Sequence, residues 1–129
     1  MVLILLVDGS QELRGSIKDS LMMAGFVVDD AADGLAALAL LERRPFDLLI
    51  TDLWLSQMDG LALMKHLRAI NPKMPVIVLT GETAKRPVCY SVALAPTWGA
   101  DVVVHKPFDN DDLVDEVQRL LAQYAEKMA

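Results

Sequence analysis

The sequence is poor in cysteine and in positive charge, and each shortage excludes a class of protein. Its 129 residues include one cysteine, Cys89, so no internal disulfide can form, and no Cys/His cluster has the spacing of a zinc site. Twelve Lys and Arg against eighteen Asp and Glu give a net charge of −6, which repels a phosphate backbone. The charge therefore predicts no direct binding to nucleic acid. The single cysteine fits a reducing, cytoplasmic setting.

Long hydrophobic runs and phosphate-binding glycine loops are missing as well. The opening apolar run, residues 2–7, is followed at once by Asp8 and lacks a basic flank, so it is predicted to be a buried strand and not a signal or a membrane anchor. Neither GxGxxG nor GxxxxGK[ST] occurs, which disfavours nucleotide enzymes built on those loops. The length favours a single domain over residues 1–129.

Short apolar runs without alternation indicate strands that are buried on both faces. Four such runs and one weaker run are present: residues 2–7, 48–50, 76–79 and 102–104, and the weaker 26–28. Continuous Val, Ile and Leu are typical of a parallel sheet covered by helices.

Between these runs the hydrophobic residues recur at helical spacing. The pattern includes Leu13, Ile17 and Leu21, then Leu63, Leu67 and Ile70, and finally Leu113, Val117, Leu120, Leu121 and Tyr124. Strand and helix alternate five times, so the predicted fold is α/β: a doubly wound, five-stranded parallel sheet in the order 2-1-3-4-5 with helices on both faces.

Polar side chains follow four of the predicted strands where each strand ends. They are Asp8, Asp52, Thr80 and Lys106. Ligands of open parallel sheets bind beyond the carboxyl ends of the strands, where the strand order reverses, so these side chains are expected to meet there. Each residue alone is equally consistent with a strand meeting solvent, but four suitable chemical types at four strand ends favour a site.

The chemistry of these four side chains suits phosphoryl transfer. Two neighbouring carboxylates repel each other unless cations balance them, and Lys106 together with Mg²⁺ would do so. Asp52 could then act as a nucleophile toward phosphorus, while Thr80 donates a hydrogen bond to the phosphoryl group.

The sequence resembles the receiver domain of two-component response regulators, over essentially the whole chain. The resemblance rests on short motifs: Val7-Asp8, Asp47 to Asp52 followed by Met58-Asp59-Gly60, Leu79-Thr80-Gly81, Gly99-Ala100-Asp101 and Lys106-Pro107-Phe108. It implies the chemotaxis-regulator type of fold. It also implies a cis bond between Lys106 and Pro107.

The resemblance implies a role for each residue of the site. Asp52 would accept a phosphoryl group from a histidine kinase or a phosphotransfer protein, and Thr80 and Lys106 would bind the acyl phosphate. Asp8, Asp52 and the backbone carbonyl of Trp54 would hold Mg²⁺. A downstream effector protein or domain would respond to the phosphorylated state. The residues do not determine the oligomeric state, so a homodimer stays open.

One departure from the family weakens the expected metal site. Relatives carry a second acid directly after the first one, and this chain has Gly9 there. The site charge becomes −1 where a typical receiver has −2, so weaker Mg²⁺ binding is predicted. Ser10 and Glu12 could supply an oxygen through water, but a helix N-cap and a first-turn acid describe them better.

Further departures concern how a signal would be passed on. Val103 occupies a position that is aromatic in relatives, and the segment 81–98, with Pro87 and Pro96, is longer than its counterpart. Ser56 replaces a proline. Trp54 and Glu82 occupy positions that influence dephosphorylation in relatives, and Trp54 is equally well described as a loop aromatic that covers apolar surface.

Two functions therefore stay open, with a third far behind. The first is a phosphorylated switch that uses Asp52 and is not an enzyme with turnover on an external substrate. The second is a receiver-like interaction module that acts through its fourth and fifth predicted helices without phosphate. A phosphatase that forms an aspartyl phosphate is the third, and it is disfavoured because Ser10 stands where such enzymes carry another acid.

Overall fold

The computed structural model describes residues 1–81 and 99–128. These residues form five strands and four helices, in the order β1 (Leu3–Val7), α1 (Gln11–Met23), β2 (Val27–Ala31), α2 (Gly34–Arg43), β3 (Leu48–Asp52), α3 (Gly60–Ile70), β4 (Val76–Thr80), β5 (Val102–His105) and α4 (Asn110–Met128). The helix predicted between residues 81 and 98, with Pro87, Pro96, Cys89 and Glu82, lies outside the described residues.

The strands form one parallel sheet in the order β2-β1-β3-β4-β5, as the sequence predicted. Alternate residues of each strand enter two separate hydrophobic clusters. Leu5 and Val7 pack on the side of α2 and α3, whereas Ile4 and Leu6 pack on the side of α1 and α4. Because both faces are covered, β1, β3 and β4 contain almost only apolar residues up to their carboxyl ends.

The second strand is longer than the apolar run that indicated it. The sequence signal covers residues 26–28, but β2 continues through Asp29 and Asp30 to Ala31. An edge strand tolerates acids when cations reach them. Arg14 Nε and Lys18 Nζ donate to Asp30 at 2.8 and 3.0 Å. Burial disfavours the charged form of Asp30, but these two cations outweigh it and lower its pKa.

One residue of the predicted helical stripes was assigned wrongly. Ile70, expected on the core face of α3, is 46% exposed, whereas Leu63 and Leu67 are fully buried. The buried stripe of α3 instead includes Met64. Ile70 is the last residue of α3, and the buried stripe of this helix ends before it, at Leu67.

Helix starts and stops follow their sequence signals. Ser10, predicted as an N-cap, accepts a hydrogen bond from the Leu13 amide at 3.2 Å, and Asp33 and Asp59 cap α2 and α3 in the same way. Helices α2 and α3 end two residues before Pro45 and Pro72, respectively. These caps fix the helices that follow the first three strands at the site edge.

Hydrogen bonds connect the segment just before β5 to α3, β4 and α4, and these bonds help to position the residue that follows β5. Arg68 on α3 donates to the carbonyl oxygens of Met74 (2.7 Å) and Gly99 (2.6 Å). Asp101 accepts from the Val76 amide and from the Tyr124 hydroxyl, each at 2.9 Å. Burial and the Asp101 carboxylate raise the pKa of Tyr124 to about 12, so the phenol remains a donor up to strongly alkaline pH.

Adding one methyl group at Gly60 is expected to destabilise the fold by about 1–3 kcal/mol through overpacking. A Cβ at Gly60 would lie 2.5 Å from the Asp52 carbonyl oxygen and 2.9 Å from the Leu53 Cα, both of them backbone atoms. Gly15 is the matched control, because it is an exposed residue of α1 whose added Cβ would have no neighbour within 4 Å. Gly15→Ala should therefore stabilise the domain by about 0.5–1 kcal/mol.

Urea unfolding of the two variants measures both changes. If Gly60→Ala unfolds at the wild-type midpoint, the close approach of α3 to the end of β3 is incorrect.

Candidate phosphoryl-acceptor site

The four residues predicted to meet all lie at the carboxyl edge of the sheet. Asp8 directly follows β1, Asp52 ends β3, Thr80 ends β4 and Lys106 directly follows β5. The strand order reverses between β1 and β3, so Asp8 and Asp52 flank the reversal point. Parallel strands place these ends together, which explains why residues so distant in sequence form one cluster.

Lys106 joins the two carboxylates. Its Nζ donates to Asp8 Oδ2 at 2.8 Å and to Asp52 Oδ2 at 3.0 Å. The side chains are 1% exposed for Asp8, 13% for Asp52 and 23% for Lys106, so both ion pairs are largely shielded from solvent. The formal charges of these three groups sum to −1.

Asp52, the predicted nucleophile, has a raised pKa, whereas an ion pair with a cation ordinarily lowers the pKa of a carboxyl group. Removal from water raises the pKa of Asp52, and the negative charge of Asp8 adds to the rise, while Lys106 offsets only part of it. For Lys106, burial favours the neutral amine, but the two carboxylates outweigh burial and raise the pKa of the ammonium. The sequence predicted repulsion between the acids, but desolvation is the larger cause.

Asp8 is fixed at every polar atom. Its amide donates to the Ala31 carbonyl at 3.2 Å, and its Oδ1 accepts from the Ser10 amide at 2.8 Å. Its carbonyl oxygen accepts from Arg14 Nη1 at 2.7 Å. Arg14 was not among the residues predicted from the sequence. The available signal was its place near the start of α1, where the helix dipole disfavours a cation that has no tertiary partner.

Thr80 contributes a buried hydroxyl to this edge of the sheet. Its side chain is fully buried, and Oγ1 has no hydrogen-bond partner within residues 1–81 and 99–128. Its carbonyl oxygen accepts from the Lys106 amide at 2.7 Å, so Thr80 and Lys106 are direct neighbours. A buried hydroxyl left unsatisfied is costly, and an incoming anionic oxygen would satisfy it.

Trp54 lies over the α2 and α3 side of the core, next to the acceptor. Its amide donates to Asp52 Oδ1 at 3.3 Å, and its half-buried ring packs against the hydrophobic cluster on that side of the sheet. This packing agrees with the description of Trp54 as a cover for apolar surface. Its roles as a metal ligand through the backbone carbonyl and as a gate stay predictions.

Gly9 leaves open space where relatives carry the second acid. The residue is exposed, and the nearest atom to an added Cβ would be the Ala32 carbonyl oxygen at 3.9 Å. Its φ angle lies outside the left-handed region that requires glycine. The backbone therefore has no steric or conformational need for glycine here.

The donor set of the pocket fits Mg²⁺ held by few protein ligands. Mg²⁺ in proteins is bound through one or two carboxylates, with waters and phosphate oxygens completing its octahedron. Asp8 and Asp52 supply two carboxylates, already close enough to share one ammonium. Across the described parts of the chain, no group of three or more His, Cys, Asp or Glu could hold a metal ion. Two carboxylates would leave the rest of the Mg²⁺ octahedron to waters and phosphate oxygens.

Both histidines of the chain are exposed. His66 lies on α3 and His105 ends β5. Val103 is half-buried and packs against the α2 and α3 side of the core. The Lys106-Pro107 bond is cis, which confirms the prediction.

The family model for the response regulator receiver domain matches residues 4–118. The response regulator receiver protein CpdR of Brucella abortus is 33% identical over 121 residues, which cover 92% of this chain and 95% of that protein. The response regulator MprA of Mycobacterium leprae is 35% identical over 118 residues, and the chain spans 50% of its length. A putative NtrX-like response regulator of Rickettsia bellii is matched over 24% of its length. Several relatives are thus much longer than this chain.

Solved structures show the same fold. A CheY-like receiver domain protein from Methanospirillum hungatei is 28% identical with a TM-score of 0.89, and 98% of each chain is covered. The chemotaxis protein CheY4 of Vibrio cholerae is 31% identical with a TM-score of 0.82, covering 93% of this chain and 98% of that one. No helix among the described residues combines the length and the apolar character needed to cross a membrane.

Proposed function

Because this chain belongs to the response regulator receiver domain family, we propose that it is a phosphorylated switch of two-component signalling with Asp52 as its phosphoryl acceptor. The observation that carries the proposal is the Lys106 ammonium, which bridges Asp8 and Asp52 at the reversal point of the sheet. A largely buried carboxylate paired with a cation, at the same sheet edge as a buried hydroxyl that has no partner among the described residues, is suited to receive a phosphoryl group.

In phosphoryl transfer the protein mainly positions the reacting groups and balances their charge. A carboxylate oxygen of Asp52 attacks phosphorus, a new O–P bond forms, and the bond from phosphorus to the donor nitrogen breaks. The donor nitrogen keeps the electron pair and takes up a proton. Lys106 balances the negative charge of the phosphoryl oxygens, and Thr80 Oγ1 donates a hydrogen bond to one of them.

Asp8, Asp52 and the Trp54 carbonyl would hold Mg²⁺ in this pocket. The ion would supply positive charge that neutralises phosphoryl oxygens. With Gly9 in place of a second acid, the protein itself offers one charge less to that ion.

The proposed partners follow from the family to which the chain belongs. The donor would be a histidine kinase or a histidine phosphotransfer protein in the cytoplasm, and the output an effector protein or domain that reads the altered surface. The domain would make and lose its own phosphoryl group and would turn over no external substrate.

Intact-mass measurement tests the proposal directly. The chain is incubated with phosphoramidate or acetyl phosphate, with and without Mg²⁺, and weighed. We expect a gain of one phosphoryl group that depends on Mg²⁺ and is removed by hydroxylamine, which cleaves acyl phosphates but not phosphoserine or phosphothreonine. No gain at saturating donor and Mg²⁺ would favour the second function, an interaction module that acts without phosphate, to which the missing acid at Gly9 points.

The raised pKa of Asp52 gives a pH prediction with a built-in control. In a carbon-13 NMR titration of the metal-free domain, the Asp52 carboxyl should titrate above the ordinary Asp value of 3.8 and the Asp30 carboxyl below it. Because burial favours protonated Asp52, its ionisation destabilises the fold as pH rises through its folded pKa. Acidification through that same pKa removes the nucleophile. A midpoint for Asp52 below that of Asp30 would contradict the assignment.

A further inference from the structure

Arg14 connects the first helix to the ends of two strands at the site. Its Nη1 donates to the carbonyl oxygen of Asp8 at 2.7 Å, and its Nε donates to Asp30 Oδ2 at 2.8 Å. The side chain is 14% exposed, so its guanidinium lies mostly beneath the surface. One planar group therefore spans from α1 to the end of β1 and to β2.

The Asp8 carbonyl has a particular need for such a donor. Asp8 is buried, and the next residue is Gly9, which has the widest backbone freedom of any residue type. The peptide plane between these two residues sets the direction of the Asp8 carbonyl and influences the direction of its carboxylate. The Arg14 guanidinium donates to this carbonyl at 2.7 Å and so restricts the peptide plane. A side chain at position 9 would also restrict it, but glycine has none.

We propose that Arg14 is a positioning residue that holds the Asp8 carboxylate in place for Mg²⁺ and for phosphoryl transfer at Asp52. This inference rests on the proposed function. In that function the Lys106 ammonium also donates to the phosphoryl group, so its hydrogen bond to Asp8 Oδ2 weakens. The Ser10 amide on Oδ1 and Arg14 on the carbonyl oxygen then keep Asp8 directed at the pocket.

Arg14→Gln is the test variant and Lys18→Gln is its matched control. Both substitutions remove one positive charge from the same partner, Asp30, but only Arg14 also contacts Asp8. Two quantities are measured for each full-length variant: the Mg²⁺ dissociation constant by calorimetry, and the hydrogen-exchange rate of the Ser10 amide, which donates to Asp8 Oδ1. Urea unfolding verifies that each variant is folded under the assay conditions.

Arg14→Gln should bind Mg²⁺ about tenfold more weakly, because partners that orient a metal ligand contribute on that scale. Its Ser10 amide should exchange about tenfold faster. Lys18→Gln should leave the exchange rate unchanged. The direction of the affinity change is decisive, because the loss of a nearby positive charge by itself would tighten Mg²⁺ binding. Tighter or unchanged binding in Arg14→Gln would overturn the proposal, as would an equal loss in Lys18→Gln.

Arg14→Lys separates charge from geometry. A lysine keeps the charge but has a single nitrogen, so it cannot hold Asp8 and Asp30 in the fixed geometry of the guanidinium fork. We expect its Mg²⁺ binding and Ser10 exchange to stay impaired, and full recovery of both would show that charge alone suffices. Should the wild-type chain accept no phosphoryl group, the proposed function fails, whereas Ser10 exchange still decides the role of Arg14.

Discussion

Asp52→Asn is expected to abolish the gain of a phosphoryl group completely while the domain remains folded. The amide has the size of the carboxylate, but its oxygen is a poor nucleophile toward phosphorus. The second acid of the pocket, Asp8, gives its two oxygens to the Ser10 amide and to Lys106, and it is 1% exposed. It is therefore not expected to take over as acceptor.

Asp59→Asn provides the matched control for that loss. Asp59 is an exposed N-cap of α3, and asparagine caps a helix as well as aspartate does. The control should gain the same mass as the wild-type chain under the same donor and Mg²⁺ concentrations. A mass gain that persists in Asp52→Asn would place the phosphoryl group on another residue and remove the proposed acceptor.

Asp52→Asn is also expected to stabilise the fold, although it abolishes phosphorylation. Because burial and Asp8 raise the pKa of Asp52, the ionised carboxylate is disfavoured in the folded state at neutral pH. Asp52→Asn should therefore unfold at a higher urea concentration than the wild-type chain at neutral pH, with a difference that shrinks on acidification. Stability lost for the sake of a reactive group is common at functional sites.

Gly9→Asp is expected to tighten Mg²⁺ binding by about tenfold or more and to speed phosphorylation at low Mg²⁺. A second acid next to Asp8 makes the site charge −2 instead of −1, and each pair of opposite unit charges about 4 Å apart contributes about 1 kcal/mol in water and about 4 kcal/mol near a protein surface. The backbone accepts the change, since the nearest atom to a Cβ at position 9 would be 3.9 Å away.

Gly9→Asn separates the charge from the side chain in that experiment. It has the size of the aspartate variant but no charge, so its Mg²⁺ dissociation constant should stay near that of the wild-type chain. Calorimetric titration of the three chains measures the difference. Equal affinities for Gly9→Asp and the wild-type chain would mean that position 9 is too far from the ion, or too well solvated, to act as a ligand.

Most of the architecture could be predicted from the sequence because burial on both faces leaves a simple pattern. Continuous apolar runs marked β1, β3, β4 and β5, and helical spacing marked the elements between them. The pattern failed where tertiary contacts replaced hydrophobic burial. Asp29 and Asp30 belong to β2 because cations from α1 and from Arg44 reach them, and no local signal predicts such contacts.

The residues of the site were also predictable, but their arrangement was not. Strand-end position and chemical type indicated Asp8, Asp52, Thr80 and Lys106, because parallel strands bring their carboxyl ends to one edge. That a single ammonium bridges both carboxylates, and that burial outweighs this cation at Asp52, depends on distances and exposures.

The sequence by itself predicted the alternation of strands and helices, the four polar residues at the strand ends and the glycine at position 9, because these depend on periodicity and on residue type. Only the tertiary structure decided the contact of Arg14 with the Asp8 carbonyl, the burial of the Thr80 hydroxyl without a partner among the described residues, and the exposure of Ile70. The physical reason is that a hydrogen bond or a desolvated charge depends on which atoms of distant segments come within a few ångströms of each other. Spacing along the chain carries no record of that.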